Sequence, residues 1–232
     1  MSQRVPGLFL PPYLQIAFDL VNLTEVKKIL SSVPKSPRII VEVGTPLLKK
    51  HGVKVVRELR EIRKNAFIVA DLKTLDVGQL EVGIAFDETA DAAVVSGLAS
   101  KETLDNFIAE ARSRDIYSFM DMMCVVDPVQ VLKSLKHLPD VVILHRGIDE
   151  EKGGKTRWEL IREIKGTFKG KKLLFAVAGG VEPKITKDAL LAGADILIVG
   201  RYIAQSKDVE RAVNDFLVLI NGFVDEFGVC ML

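Results

Sequence analysis

Cysteine is scarce in this chain. Two residues, Cys124 and Cys230, stand among 232, and neither has a C-x-x-C partner. A disulfide framework or a structural zinc site is therefore not expected. Long apolar runs are also missing: none approaches the ~18 residues that a membrane span needs. Charge of one sign is lacking too. Thirty-two Lys and Arg face 31 Asp and Glu, a formal net charge of +1, and the charges are interspersed. With no basic stripe or acidic tail, neither nucleic acid nor a membrane surface is an expected partner. Met1 to Pro12 carries one Arg and a short apolar Leu8-Phe9-Leu10, too short for the core of a secretory signal. These absences leave a soluble, cytoplasmic protein as the expectation. What is present is apolar substance: 48% of the residues are hydrophobic, enough for one sizeable core.

That apolar content is organised. Short apolar runs fall at residues 14–19, 39–43, 67–72, 92–96, 116–122, 141–145, 173–178 and 195–199. An amphipathic stretch follows each. The first opens at Asn22, Thr24 and Glu25, with Val26, Ile29 and Leu30 on its apolar face. Later ones cover 53–63, 78–88, 101–114, a start at Asp127-Pro128, 158–168, 182–192 and 209–221. Eight strand-plus-helix units with no composition break predict a parallel sheet with right-handed crossovers. They favour a closed (β/α)8 barrel, residues 1–232 as one α/β domain, with 1–12 as an N-terminal extension. An open dinucleotide-binding sheet would carry a glycine-rich turn after its first strand. Here that strand leads into Asp19-Leu20-Val21-Asn22, without glycine. Glu150 to Thr156 reads as a polar loop. The apolar tail 222–232 reads as a flap on the barrel bottom or as a subunit contact.

A barrel gathers the C-terminal ends of its strands around one mouth. Those ends carry Asp19, Glu42, Asp71 with Lys73, Asp121, His145, Gly179-Gly180 and Gly200-Arg201. Ionisable groups ending apolar runs are costly unless paired or functional. The spacing Asp71-x-Lys73-x-x-Asp76 puts Asp71 and Lys73 on one side if the strand runs that far. Alone, it also suits a surface ion pair of little consequence. Glu42 and Asp71, on neighbouring strands, offer two oxygen ligands of the kind that hold Mg²⁺ together with substrate oxygens. Glu42 can equally be a buried acid paired with Lys73. Glycines after the last two strands, with a helix start and a guanidinium beside them, fit a phosphate. His145 can carry protons near neutral pH if it faces the mouth. His51 and His137 lie in helical segments and receive no role, and Met120, Met122, Met123 and Cys124 read as packing.

The segments YLQIAFDL (13–20), VEVGTPLL (41–48), ADLKTLDVG (70–78), MDMMCVVDP (120–128), VVILHRGID (141–149), AVAGGV (176–181) and ADILIVGRYI (194–203) resemble the orotidine 5′-monophosphate decarboxylase suprafamily. Glu-x-Gly-Thr-Pro-Leu and His-x-Gly-x-Asp are similar to its 3-hexulose-6-phosphate synthases, archaeal type, and to the related 3-keto-L-gulonate 6-phosphate decarboxylases. The resemblance implies a Mg²⁺-dependent lyase joining formaldehyde to ribulose 5-phosphate through a metal-stabilised 1,2-enediolate. It implies metal ligation by Glu42 and Asp71, and enediolate stabilisation by Lys73. His145 is implied in proton transfer, Asp19 and Asp121 on sugar hydroxyls, and Gly179, Gly180, Gly200 and Arg201 on the phosphate. It further implies a homodimer in which Asp76 reaches the neighbouring subunit's site. Ile148, Asp121 and Ala178 stand where the decarboxylases have Arg, Glu and Thr, and the first two differences lean toward the synthase. The archaeal synthases are often fused to a formaldehyde-activating domain, for which Met1 to Pro12 is too short. Either a stand-alone enzyme or a piece of a fused protein is expected.

Overall fold

A computed structural model of the chain describes residues 7–147 and 158–227. The eight runs are strands β1 (Tyr13–Phe18), β2 (Ile39–Val43), β3 (Phe67–Thr74), β4 (Ala92–Ser96), β5 (Tyr117–Asp121), β6 (Val141–His145), β7 (Leu174–Ala178) and β8 (Ile196–Val199). Each pairs in parallel with the next, and β8 returns to β1, which closes the expected (β/α)8 barrel. The helices are α1 (Leu23–Ser32), α2 (Thr45–His51), α3 (Val55–Ile62), α4 (Gly78–Asp87), α5 (Lys101–Arg114), α6 (Pro128–Ser134), α7 (Glu159–Thr167), α8 (Pro183–Leu191), α9 (Arg201–Ala204) and α10 (Val209–Phe227).

Strand alternation divides the core in two. Leu14, Ile16 and Phe18 of β1 point outward and pack under the helices with Val26, Leu30, Val213 and Phe216. Tyr13 and Ala17 point inward with Ile40, Phe67, Val69, Phe119, Ile196 and Ile198. Leu8 of the N-terminal extension joins this inner cluster, and its backbone N–H donates to the Tyr117 hydroxyl at 3.0 Å. The described part of the extension thus plugs the lower end of the barrel.

Three aspartates at the lower end repeat one device. Asp91, just before β4, accepts from the Ile68 N–H of β3 at 2.7 Å. Asp140, before β6, accepts from the Ser118 N–H of β5 at 2.8 Å, and Asp195, before β8, from the Phe175 N–H of β7 at 2.9 Å. Each satisfies a strand N–H that the ladder leaves over, and so pins the register from below.

Two short helices, α2 and α9, were not expected. Gly44-Thr45-Pro46 reads only as the end of the second apolar run, but Pro46 occupies the first turn of α2, where its missing N–H costs nothing. The tail also differs. Residues 222–227 continue α10 instead of folding under the barrel. There the Phe223 and Phe227 rings lie 4.7 Å apart, and Lys187 of α8 reaches Glu226 at 3.0 Å. The loop Glu150 to Thr156, Ile148, Asp149, residues 228–232 and residues 1–6 lie outside the described residues.

Candidate active site

The upper strand ends enclose a cleft of about 780 Å³. Asp19, Glu42, Asp71, Lys73, His145, Gly179, Gly180, Gly200 and Arg201 all line it. A larger groove, about 980 Å³, opens at the lower end between residues 7–13 and 61–67, and contains none of these. Chemistry, not volume, distinguishes the two.

Glu42 points into the barrel and is almost fully buried. The amide Nε2 of Gln15, a completely buried residue of β1, donates to Glu42 Oε2 at 2.5 Å. Burial above all, then the charges of Asp71 and Asp19, pushes the Glu42 carboxyl well above the usual range. Asp71 is held from both sides. Thr45 Oγ1 lies 2.7 Å from its Oδ2 and 2.8 Å from its carbonyl oxygen, and Lys73 Nζ lies 2.9 Å from Oδ2.

Lys73 does not reach Asp71 by simple strand alternation. The β3–β4 register shifts between Ala70 and Thr74, and Lys73 has a left-handed backbone, φ +47°. This local bend, unusual for a non-glycine residue, leaves Nζ between two carboxylates. Asp121 Oδ2 is 2.8 Å away. Burial works against the Lys73 charge, but Asp71 and Asp121 outweigh it, and the ammonium is held well above its ordinary pKa.

Asp121 is buried behind the cleft and is not among its lining residues. Its Oδ1 accepts the Met123 N–H at 2.9 Å, and its Oδ2 accepts Lys73 and meets His145 Nδ1 at 2.8 Å. Burial would raise its pKa, but the bond to His145 and the charge of Lys73 prevail and bring it to about 2. An ionised carboxylate only accepts. His145 therefore carries its proton on Nδ1, and Nε2 remains for the cleft. Asp121 thus grips two cleft residues where the resemblance implied contact with sugar hydroxyls.

Asp19 lies in the recess between Gly44 and Gly200. A Cβ on Gly44 would stand 2.2 Å from Asp19 Oδ1, so only glycine fits there. Desolvation first, and the Asp71 charge second, raises the Asp19 pKa. Gly179 and Gly180 follow β7 with φ of +92° and +67°. A Cβ on Gly179 would stand 2.0 Å from the Arg146 carbonyl oxygen. This two-glycine bend leads within three residues into the N-terminus of α8, an arrangement suited to an anion. Gly200 and Arg201, at the start of α9 after the neighbouring strand β8, also line the cleft.

Asp76 is not brought into the cleft. It is exposed beyond β3, and its Oδ1 accepts the N–H of its neighbour Val77 at 2.7 Å. Sequence reading missed Gln15 and Thr45. A glutamine on the inward phase of the otherwise apolar YLQIAF was the available signal for the first. For the second there was none beyond its place after Gly44. Met123, read as packing, lines the cleft and supplies an N–H to Asp121.

Fold and site together define a (β/α)8 barrel whose mouth holds a lysine–aspartate–histidine centre and, beside its histidine, a glycine-built bend suited to an anion. The chain belongs to the orotidine 5′-phosphate decarboxylase / HUMPS family, whose model matches residues 12–216. It is 54% identical over 217 residues to the bifunctional enzyme Fae/Hps of Methanothrix thermoacetophila, covering 94% of this chain and 55% of that protein. It is 49% identical to that of Methanospirillum hungatei, covering 99% and 58%. The chain thus spans just over half the length of these curated relatives. Among solved structures it is similar to 3-hexulose-6-phosphate synthase from Salmonella typhimurium, with a TM-score of 0.82 and 29% identity over 91% of this chain and 99% of that one. Among the described residues no helix is long and apolar enough to cross a membrane.

Proposed function

We propose that the chain is a Mg²⁺-dependent lyase that reversibly joins formaldehyde to C1 of ribulose 5-phosphate, giving 3-hexulose 6-phosphate. The observation that carries this reading is the shared Asp121 Oδ2, which holds a charged Lys73 and a proton-bearing His145 Nδ1 at 2.8 Å each beside the cleft. The substrate rests on the similarity to 3-hexulose-6-phosphate synthases.

The donor set fits a hard cation. The charge of Asp71 raises the pKa of both Glu42 and Asp19, and Lys73 is divided between Asp71 and Asp121. Among the described residues no three His, Cys, Asp or Glu side chains are grouped to hold a metal by themselves. Mg²⁺ uses one or two carboxylates and fills its shell with water and substrate oxygens. Glu42 and Asp71 are the two residues that would hold it. When bound, it supplies positive charge where substrate oxygens become negative.

The remaining work falls to the chain's own groups. His145 Nε2 takes a proton from C1, its ring fixed by Asp121. The electron pair left behind moves into the C2 carbonyl, giving a 1,2-enediolate. Lys73, kept charged by two carboxylates, lies where that negative charge develops. C1 then bonds to the formaldehyde carbon as the C2 carbonyl re-forms, and the former aldehyde oxygen takes the proton held by His145 Nε2 to become a hydroxyl. Asp19 orients a sugar hydroxyl. Gly179, Gly180, Gly200 and Arg201 hold the phosphate, the last by forked hydrogen bonds.

A homodimer completes the proposal. Leu75, Val77, Leu80, Ile84 and Phe86, around the β3–α4 junction, are 60%, 53%, 61%, 39% and 42% exposed. So much apolar surface around Asp76 suits a partner face, from which Asp76 would enter the second copy's cleft.

The deciding experiment is formaldehyde consumption by the chain with ribulose 5-phosphate and Mg²⁺, with and without chelator. Loss on chelation and recovery with Mg²⁺ are expected. No turnover in either direction would overturn the reading, and release of CO₂ from 3-keto-L-gulonate 6-phosphate would replace it with the decarboxylase.

A further inference from the structure

Gln15 is an unusual occupant of its position. It lies on the inward phase of β1, with Tyr13 below and Ala17 above, in the apolar cluster that fills the barrel. It has no exposed surface, and among the described residues its Oε1 has no hydrogen-bond partner. An amide oxygen buried without a partner is costly, and an apolar residue of similar volume would pack there without that cost. The compensating contact is the other end of the amide, which donates to Glu42 Oε2 at 2.5 Å. Register explains the reach. Ala17 stands opposite Glu42 across the β1–β2 ladder, so Gln15 lies one inward step below it and meets its carboxylate from underneath.

We propose that Gln15 is a positioning residue of the active site: its amide clamps one oxygen of Glu42 and thereby presents the other to a divalent cation at the cleft. The inference rests on the reading of Glu42 as a metal ligand. It gives Glu42 what Thr45 and Lys73 give Asp71, a fixed hydrogen-bond partner for the ligating group. Outer partners of this kind set the orientation of a ligand, and their loss typically weakens a metal site by about 10- to 100-fold. Gln15 itself does not line the cleft.

The test is Mn²⁺ binding to the full chain, followed by the electron paramagnetic resonance of free Mn²⁺, for wild type, Gln15→Met and Glu42→Gln. Gln15→Met keeps the length of the side chain and removes the donor. Near-UV circular dichroism checks the fold. Gln15→Asn, which keeps an amide but withdraws it by one methylene, serves if the first variant does not fold. Inorganic phosphate binding without metal reports on the glycine bend and Arg201. Both Gln15 variants should bind Mn²⁺ about 10-fold or more weakly, with phosphate binding unchanged. Wild-type Mn²⁺ affinity in a folded Gln15 variant, beside loss in Glu42→Gln, overturns the role of Gln15 and leaves the proposed function standing. Wild-type affinity in Glu42→Gln removes Glu42 from the metal and overturns both the positioning role and the ligand reading it rests on. Parallel loss of Mn²⁺ and phosphate in a Gln15 variant marks a distorted barrel and overturns the positioning role.

Discussion

Asp121 grips His145 through a 2.8 Å contact between its Oδ2 and the ring Nδ1, from a position with 2% of its surface exposed. The carboxylate fixes which ring nitrogen is protonated. Asp121→Asn can present an amide N–H to Nδ1 and so favour the opposite tautomer. Turnover should fall by about 10²- to 10⁴-fold, the usual worth of a positioned acid or base, with KM little changed. Steady-state kinetics on a folded variant checks this.

The same carboxylate predicts an acid limb in stability. Its folded pKa, about 2, lies below the ordinary value of 3.8. The stabilisation is therefore fully present above about pH 4 and is lost as pH falls through about 2, roughly 2 kcal/mol in all. Asp19 and Glu42, shifted upward, act in the opposite sense. They cost stability when ionised, and that cost disappears as acid protonates them. Denaturant unfolding of the metal-free chain should show stability rising on mild acidification and falling below about pH 4. Asp121→Asn should lose the falling limb.

Lys73 joins charge to backbone strain. Lys73→Ala leaves Asp71 and Asp121 buried without their cation, which should cost roughly 3 kcal/mol and abolish turnover. Glycine normally weakens a strand relative to alanine. At φ +47° the sign reverses. Lys73→Gly should be about 1 kcal/mol more stable than Lys73→Ala, because only glycine adopts this conformation freely. Equal stability of the two inactive variants would deny the strain.

The fold was legible because alternation of β-branched runs with amphipathic stretches is a one-dimensional signal. Residues 39–43, 92–96 and 141–145 were bounded from sequence as the structure has them. Site membership followed from the barrel rule that strand ends converge, and nine of the expected residues line one cleft. What was not legible depends on side-chain reach. The bend at Lys73, the burial of Asp121 behind two partners and the amide beneath Glu42 are three-dimensional facts without a sequence period. Helix α2 hid behind Gly44 and Pro46, residues that signal a turn and a helix start equally well.

Gly179 and Gly52 separate conformational strain from crowding. Both have positive φ, +92° and +76°. A Cβ at Gly52 would meet nothing within 4 Å, whereas at Gly179 it would stand 2.0 Å from the Arg146 carbonyl oxygen. Gly52→Ala should cost about 1 kcal/mol and leave kinetics intact. Gly179→Ala must displace backbone and should cost about 3 kcal/mol or more. If the two-glycine bend holds phosphate, KM for the phosphosugar should rise in Gly179→Ala alone.

Asp76 and His145 test the shared site directly. Asp76 is exposed and does not line its own chain's cleft, so a role for it calls for a second copy. Asp76→Ala and His145→Ala homodimers should each be nearly inactive. Unfolded together and refolded, they form mixed dimers in which one cleft carries both substitutions and the other carries neither. Random assortment makes half the dimers mixed, with one of two sites intact, so about a quarter of wild-type activity should return. Leu80→Asp, placed on the exposed apolar face around Asp76, should block both dimerisation and this recovery, as sedimentation and rate would report together. Recovery absent from a demonstrated mixed dimer would confine each site to one chain and leave Asp76 without a catalytic role.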